Sequence, residues 1–87
     1  MRWLYNTRKR TLRQLKHNSN EITLSARESE LLLILANNVI NTYFEIYSHI
    51  ERSEIRYLKR ELVDKTGLKI RTVTSVGYIL EDEIYIL

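Results

Sequence analysis

The sequence predicts a mixed α+β fold in which an N-terminal antiparallel sheet precedes three helices and a C-terminal β-hairpin. Residues 1–24 alternate apolar and polar side chains between turn-forming clusters, as short strands do. Residues 25–66 contain three successive helix-start signals, and residues 68–80 have the pattern of two strands joined at a polar tip. At 87 residues, the chain is long enough for one domain and too short for two cores.

The N-terminal sheet is predicted as a meander of three strands. Residues 3–5 are β-prone, and residues 11–16 and 21–24 each alternate between apolar and polar side chains. Clusters of turn-forming residues at 6–10 and 18–20 separate these segments. Three short segments joined by two turns favour antiparallel pairing between neighbours.

Capping boxes mark the start of the first two helices. The Ser25 hydroxyl can accept a hydrogen bond from the amide of Glu28, whose carboxylate can reach back to the Ser25 amide. Thr42 and Glu45 repeat this spacing ahead of a short second helix, which we expect to end near Ile50. The first helix should end near two asparagines, since asparagine tolerates the left-handed conformation at a helix end. Its expected end is at Asn37-Asn38, and its expected core residues are Leu31, Leu32, Ile34 and Leu35.

The third helix is expected over residues 53–65, with Ser53 as its N-cap and Gly67 just past its C-terminal end. Apolar residues at i, i+3 and i+7 form its core stripe. The other side of the helix is basic. The core stripe consists of Ile55, Leu58 and Leu62, and the basic side carries Arg52, Arg56, Lys59 and Arg60.

A basic helix followed by a β-hairpin is the order in which a winged helix binds nucleic acid, with the helix in a groove and the hairpin along the backbone. This order favours binding to double-stranded DNA. Arg56 and Lys59 are the first choices for contacts to base edges. The full set of candidate DNA contacts is Arg52, Ser53, Arg56, Tyr57, Lys59 and Arg60 in the helix, and Lys69, Arg71, Thr74 and Ser75 in the hairpin.

Each candidate also has a simpler interpretation. The basic helix face could be a solvated surface paired with Glu51, Glu54 and Glu61, and Tyr57 could pack on the second helix. The candidate hairpin residues could be ordinary exposed strand and turn positions. The cluster Arg8-Lys9-Arg10 is expected to be a solvated turn rather than a second DNA contact.

Composition restricts the other functional classes. The net charge of +3, from 14 basic and 11 acidic residues, is a weak bias toward nucleic acid. The absence of cysteine excludes disulfides and thiolate metal sites and is compatible with a reducing cytoplasm. His17 and His49 lack a second ligand at metal spacing, and no nucleophile–base pair or glycine-rich phosphate loop is present. We therefore expect no cofactor, no metal and no enzymatic activity.

Two further expectations concern membrane association and the C-terminal tail. No apolar run approaches the roughly 18–20 residues of a membrane span, and the N-terminus lacks the apolar segment of a signal peptide. No membrane association is therefore expected. The tail 84–87 is expected to add a strand or pack on the sheet, with a dimer contact as the alternative.

Three segments carry further motifs. They are Ile22-Thr23-Leu24-x-x-x-Glu28-x-x-Leu31-Leu32, then Ile55-x-x-Leu58-Lys59-x-x-Leu62, and then Ile70-x-Thr72-Val73-x-x-Val76-Gly77-Tyr78. In this order they resemble the C-terminal effector domain of OmpR/PhoB-type response regulators, and the resemblance covers nearly the whole chain. The hairpin motif is the most specific of the three.

The resemblance implies a winged helix-turn-helix fold with an N-terminal antiparallel sheet. It also implies regulation of transcription through promoter DNA, with dimers on direct repeats, as the cytoplasmic effector module of a bacterial two-component system. In that family a receiver domain with a phosphorylated aspartate precedes this module, and the 87 residues contain no receiver.

Three departures from the family pattern bear on function. Only Glu51-Arg52 separate Ile50 from Ser53, where the family has a longer loop, which puts contact with RNA polymerase in doubt. Lys59 replaces the family's arginine and loses the bidentate fork that reads guanine. Thr74-Ser75 replace an Arg-Gly pair and remove a charge. These departures keep an alternative open, in which a winged helix binds a protein partner instead of DNA.

Overall fold

The computed structural model describes residues 1–16 and 19–87 and confirms a mixed α+β fold with three helices. Helix α3 is the longest element. The strands are β1 (Arg2–Asn6), β2 (Thr11–Gln14), β3 (Ile22–Thr23), β4 (Asn41–Thr42), β5 (Ile70–Val73), β6 (Gly77–Leu80) and β7 (Glu83–Ile86). The helices are α1 (Ala26–Leu35), α2 (Tyr43–Tyr47) and α3 (Arg52–Thr66).

The N-terminal sheet has the strand order β3-β2-β1-β7. Strands β1, β2 and β3 form the predicted antiparallel meander, while β7 pairs parallel with β1. The tail therefore adds a strand, the first of the two outcomes expected for it. The inner face of this sheet packs against the core through the buried side chains of Trp3, Tyr5 and Leu12. His17 and Asn18, expected in the second turn, lie outside the described residues.

Helices α1 and α2 begin where the capping signals predict. In α1, both halves of the capping box between Ser25 and Glu28 are formed. In α2, the Thr42 hydroxyl accepts from the Glu45 amide at 3.2 Å. Helix α2 ends at Tyr47, three residues before the predicted end. In the turn that follows, Ser48 and His49 make i→i−3 hydrogen bonds and Ile50 makes an i→i−4 bond, so the regular helical ladder does not continue.

The end of α1 agrees with expectation, and its buried face differs from it. The helix ends at Leu35, and Asn38 beyond it adopts a left-handed φ of 59°, the conformation expected for this asparagine pair. Ile34 is half-buried rather than buried. The buried face of α1 instead includes the polar residues Glu28 and Ser29, which the spacing of apolar residues did not predict. The Ser29 hydroxyl is hydrogen-bonded to the Tyr5 hydroxyl, which ties α1 to the N-terminal sheet.

Helix α3 runs from Arg52 to Thr66 and so extends one residue beyond the predicted range 53–65 at each end. Its N-cap is Glu51 rather than Ser53, because the Glu54 amide already donates to the Glu51 carbonyl at 2.9 Å and places Ser53 inside the helix. Gly67 ends α3 as predicted, with a left-handed φ of 79° and its amide bonded to the Val63 carbonyl at 2.7 Å. The predicted core stripe is confirmed, with Ile55, Leu58 and Leu62 all buried.

The second sheet has the order β4-β6-β5, and β5 and β6 form the predicted hairpin. Its turn contains Thr74, Ser75 and Val76, with Ser75 at φ 62° and the Val76 amide bonded to the Val73 carbonyl. The tip is thus one residue longer than the predicted Thr74-Ser75 pair. This hairpin is held against the helices because β6 also pairs with β4, the short strand that precedes α2.

Gly77 makes that pairing possible. A Cβ at this position would lie 1.9 Å from the Asn41 carbonyl oxygen, so only glycine allows β6 to approach β4 this closely. Buried residues from both sheets and all three helices form one hydrophobic cluster, in which α1 and α3 contact each other. Among the described residues, no helix is long and apolar enough to cross a membrane.

Candidate nucleic-acid interface

Helix α3 carries three rows of side chains along its length, as its periodicity requires. One row is apolar and faces the core. A second row contains the basic residues, and a third is polar and contains Glu54, Tyr57, Glu61 and Asp64. The basic row consists of Arg52, Arg56, Lys59 and Arg60, of which the three arginines are exposed and Lys59 is half-buried.

The basic row is free of acidic partners. Within residues 1–16 and 19–87, none of its four cations forms an ion pair. Two of the carboxylates considered as partners are engaged elsewhere. Glu54 lies 3.5 Å from Arg27 of α1, and Glu61 accepts a hydrogen bond from the Tyr57 hydroxyl at 2.8 Å. The positive charge of this row is therefore available to an external anion.

Tyr57 is 60% exposed and belongs to the polar row rather than to the basic one. Its hydroxyl bond to Glu61 raises the pKa of Tyr57, because the neighbouring carboxylate disfavours the phenolate. As a hydrogen-bond donor to Glu61, the hydroxyl is already committed. The Tyr57 hydroxyl therefore has no free proton to donate to an external anion.

The candidate hairpin residues divide into two groups. Thr74 and Ser75 are exposed at the turn, as predicted. Lys69 and Arg71 are exposed beside buried Ile70, but the Arg71 guanidinium is paired with Glu81 at 3.1 Å. The hairpin therefore presents hydroxyls at its tip and little uncompensated charge along β5.

A groove brings α2, α3 and the hairpin together. It has a volume of about 550 Å³ and lies between the first turns of α3 and the hairpin tip. Four of the ten residues predicted from the sequence line it, and the other six lie outside it. The lining residues are Tyr43, Tyr47, Arg52, Ser53, Ile55, Arg56, Ser75 and Tyr78. The candidates outside it are Tyr57, Lys59, Arg60, Lys69, Arg71 and Thr74.

The tyrosines of this groove were not among the residues predicted to bind. Tyr43 stacks on Tyr47 with ring centroids 6.2 Å apart, and the Tyr43 ring meets Tyr78 edge-on at 5.4 Å. The four-residue spacing of Tyr43 and Tyr47 signals that they share one side of α2. Tyr78 joins them only through the pairing of β4 with β6, which no local sequence pattern reveals.

Two cations cover tyrosine rings at the edge of the groove. The Arg52 guanidinium lies 5.3 Å from the Tyr47 ring centroid, and the Lys59 ammonium lies 5.6 Å from that of Tyr78. Such cation–π contacts contribute about 0.5–1 kcal/mol at exposed sites. They also fix Lys59 toward the hairpin, so the basic row and the tyrosines form one continuous surface.

Burial raises the pKa of Tyr78, and the nearby Tyr43 raises it further, while Arg56 acts in the opposite direction. The Tyr78 hydroxyl therefore keeps its proton at neutral pH and can donate a hydrogen bond. With two arginines and two serines beside the three tyrosines, the groove offers donors and positive charge and has no carboxylate among its lining residues.

The remaining candidates lie away from this groove. Arg8, Lys9 and Arg10 are exposed in the β1–β2 turn, where they were expected. His49 lines a separate shallow groove with Leu33 and Ile34 of α1. In the part of the chain that the structure describes, no group of three or more His, Cys, Asp or Glu side chains is placed to hold a metal ion.

The groove and the basic row thus form a surface suited to binding an extended anion, and its lining includes no carboxylate or imidazole to act as a general base. No family model, no curated protein and no solved structure matches this chain.

Proposed function

We propose that this chain binds double-stranded DNA as a winged helix-turn-helix module. Helix α3 enters the major groove, and the β5–β6 hairpin is the wing that follows the flanking backbone. The observation that carries the proposal is the shared groove, in which Arg52 and Arg56 of α3 lie across from Ser75 at the hairpin tip. One ligand can therefore touch the helix and the hairpin together.

Charge supports the same proposal. The four cations of the basic row have no acidic partner in the described part of the chain, and DNA affinity depends mainly on neutralised phosphates. Arg56 is exposed midway between Arg52 and Arg60, where it can reach base edges while its neighbours contact phosphates. Lys59 is held over Tyr78, which favours a role at the groove edge.

The resemblance to OmpR/PhoB-type effector domains adds a biological role to this proposal. The element order supports it, because three N-terminal strands precede three helices, and the β5–β6 hairpin follows the helices. We infer a transcription regulator of a bacterial two-component system, acting in the cytoplasm and binding promoter DNA as dimers on direct repeats. Only four residues separate α2 from α3, so polymerase contact through that connection is not proposed.

One observation favours a protein partner instead. Phe44 of α2 is 84% exposed, and the hairpin tip beside α2 carries no charge. A large exposed aromatic ring is typical of protein interfaces, where aromatic residues supply much of the binding energy. A winged helix that uses α2 and the tip for a protein partner is therefore the second candidate.

A salt-dependent mobility-shift titration separates these candidates. The protein should bind a random-sequence duplex at low salt, with a dissociation constant of about 10⁻⁴–10⁻⁶ M or tighter near physiological salt. The double variant Arg56→Ala/Lys59→Ala should bind more weakly and show a smaller salt slope. Arg8→Ala/Lys9→Ala removes the same charge from the β1–β2 turn and is the matched control. Absence of duplex binding by the folded wild type would favour the protein partner.

A further inference from the structure

The groove between α2, α3 and the hairpin contains an unusual concentration of hydrogen-bond donors. Three tyrosines, two serines and two arginines line it, and Ile55 is its one aliphatic lining residue. No lining residue is acidic. A site of this composition favours a compact anion over a cation or a neutral apolar ligand.

The three phenol hydroxyls are also uncommitted. Among residues 1–16 and 19–87, none of Tyr43, Tyr47 and Tyr78 forms a hydrogen bond through its hydroxyl, whereas Tyr5, Tyr57 and Tyr85 all do. The Tyr78 ring is buried, with the residue only 5% exposed, but its hydroxyl is not among the buried unpartnered atoms of the described residues. That hydroxyl is therefore open to solvent in the groove and free to bond a ligand there.

The rings that carry these hydroxyls are held in place. Tyr43 contacts both of the others, by stacking on Tyr47 and by its edge-on contact with Tyr78. Arg52 covers the Tyr47 ring, and Arg56 is close enough to Tyr78 to influence its ionisation. Donors fixed in this way lose little entropy when a ligand binds.

We propose that this groove is a phosphate-ester clamp, in which the hydroxyls of Tyr43, Tyr47 and Tyr78 donate to phosphate oxygens and Arg52 and Arg56 neutralise their charge. The volume of about 550 Å³ exceeds what one phosphate needs and leaves room for the attached sugar. The inference deepens the proposed DNA binding, and its choice of a backbone phosphate of the duplex as the bound ester rests on that proposed function.

The test uses variants that remove hydroxyls without removing charge. Tyr43→Phe/Tyr47→Phe/Tyr78→Phe should bind duplex DNA at least about tenfold more weakly than wild type, since hydrogen bonds to charged groups are lost. Its salt slope should stay unchanged, because no cation is removed. Tyr85→Phe, on β7 and outside the groove, is the matched control and should bind like wild type. Unchanged affinity in the triple variant would overturn the clamp and leave the proposed DNA binding intact.

If the triple variant does not fold, Tyr47→Phe alone replaces it. Tyr47 is the most exposed of the three, and the single change should weaken binding several-fold at an unchanged salt slope. Equal affinity for Tyr47→Phe and wild type would overturn the clamp as well.

A second measurement distinguishes the source of the phosphate. Inorganic phosphate and adenosine monophosphate are titrated separately into the ¹⁵N-labelled wild type and the same Tyr→Phe variant. One outcome is that the wild type fails to bind any duplex while either probe shifts the amide resonances of Ser53, Arg56 and Ser75. In that case the proposed function fails, and the groove is a clamp for a free phosphate ester. If neither the duplex nor either probe shifts these amide resonances, the clamp is wrong.

Discussion

Gly77→Ala should destabilise the protein strongly, although it adds one methyl group. The new Cβ would lie 1.9 Å from the Asn41 carbonyl oxygen and 2.8 Å from the Thr42 Cα, and both of these atoms belong to the backbone. To reach ordinary contact distance, β4 must retreat from β6 by roughly 1.5 Å. Overpacking of this kind costs about 1–3 kcal/mol, and breaking the β4–β6 hydrogen bonds adds to it, so we expect a loss of about 3 kcal/mol or more.

Urea denaturation followed by circular dichroism measures this loss, and Gly67→Ala is the matched control. Gly67 has open space around its Cβ position but a left-handed φ of 79°, so alanine there should cost only the conformational strain of about 1–2 kcal/mol. In a domain of this size, 1 kcal/mol shifts Tm by about 4–8 °C. If Gly77→Ala costs less than Gly67→Ala, the close approach of β6 to β4 does not exist in solution.

Three further predictions concern the core, the acid response and the hairpin. Leu58→Ala should cost about 2–5 kcal/mol in urea denaturation, and a loss below about 1 kcal/mol would mean that α3 is rotated and that its basic row faces elsewhere. Burial acts to raise the pKa of Glu28, but its hydrogen bonds with Lys65 and Ser25 outweigh burial and lower it overall. The stabilisation from ionised Glu28 should therefore be present above the unfolded pKa of about 4.3 and disappear as pH falls through the lower folded pKa. Glu28→Gln should flatten the pH dependence of stability below about pH 5, and an unchanged profile would contradict this role. Thr74→Arg should tighten duplex binding and steepen the salt slope by about 0.9, with stability moving by less than about 0.5 kcal/mol; if neither affinity nor slope changes, the hairpin tip does not approach DNA.

Local signals predicted much of the fold because their cause is local. The capping box at Ser25 requires only four neighbouring residues, and the left-handed end at Gly67 requires only a missing Cβ. The predicted start of α3 at Ser53 was wrong because a backbone hydrogen bond from Glu54 to Glu51 starts the helix without a side-chain cap. Capping preference is weak compared with the packing that fixes a helix in place.

Nonlocal features could not be predicted in the same way. The parallel pairing of β7 with β1 joins strands from opposite ends of the sequence, and no turn chemistry encodes it. The tyrosine groove also depends on pairing between strands that are far apart in the sequence. Tyr43 and Tyr78 become neighbours only because Gly77 lets β6 pair closely with β4. The charged candidates of α3 were visible in the sequence because they follow the helical period, whereas the groove beside them depends on the sheet.

The most direct test of the central proposal is to map the duplex-binding surface by ¹⁵N chemical-shift perturbation at low salt. The expected shifts concentrate in the outward side of α3 and at the hairpin tip, including Arg56, Arg60 and Ser75, while β2 and the β1–β2 turn stay unchanged. Shifts confined to the α1 surface around Leu33, or no shifts at any duplex concentration, would contradict DNA binding by α3 and the hairpin.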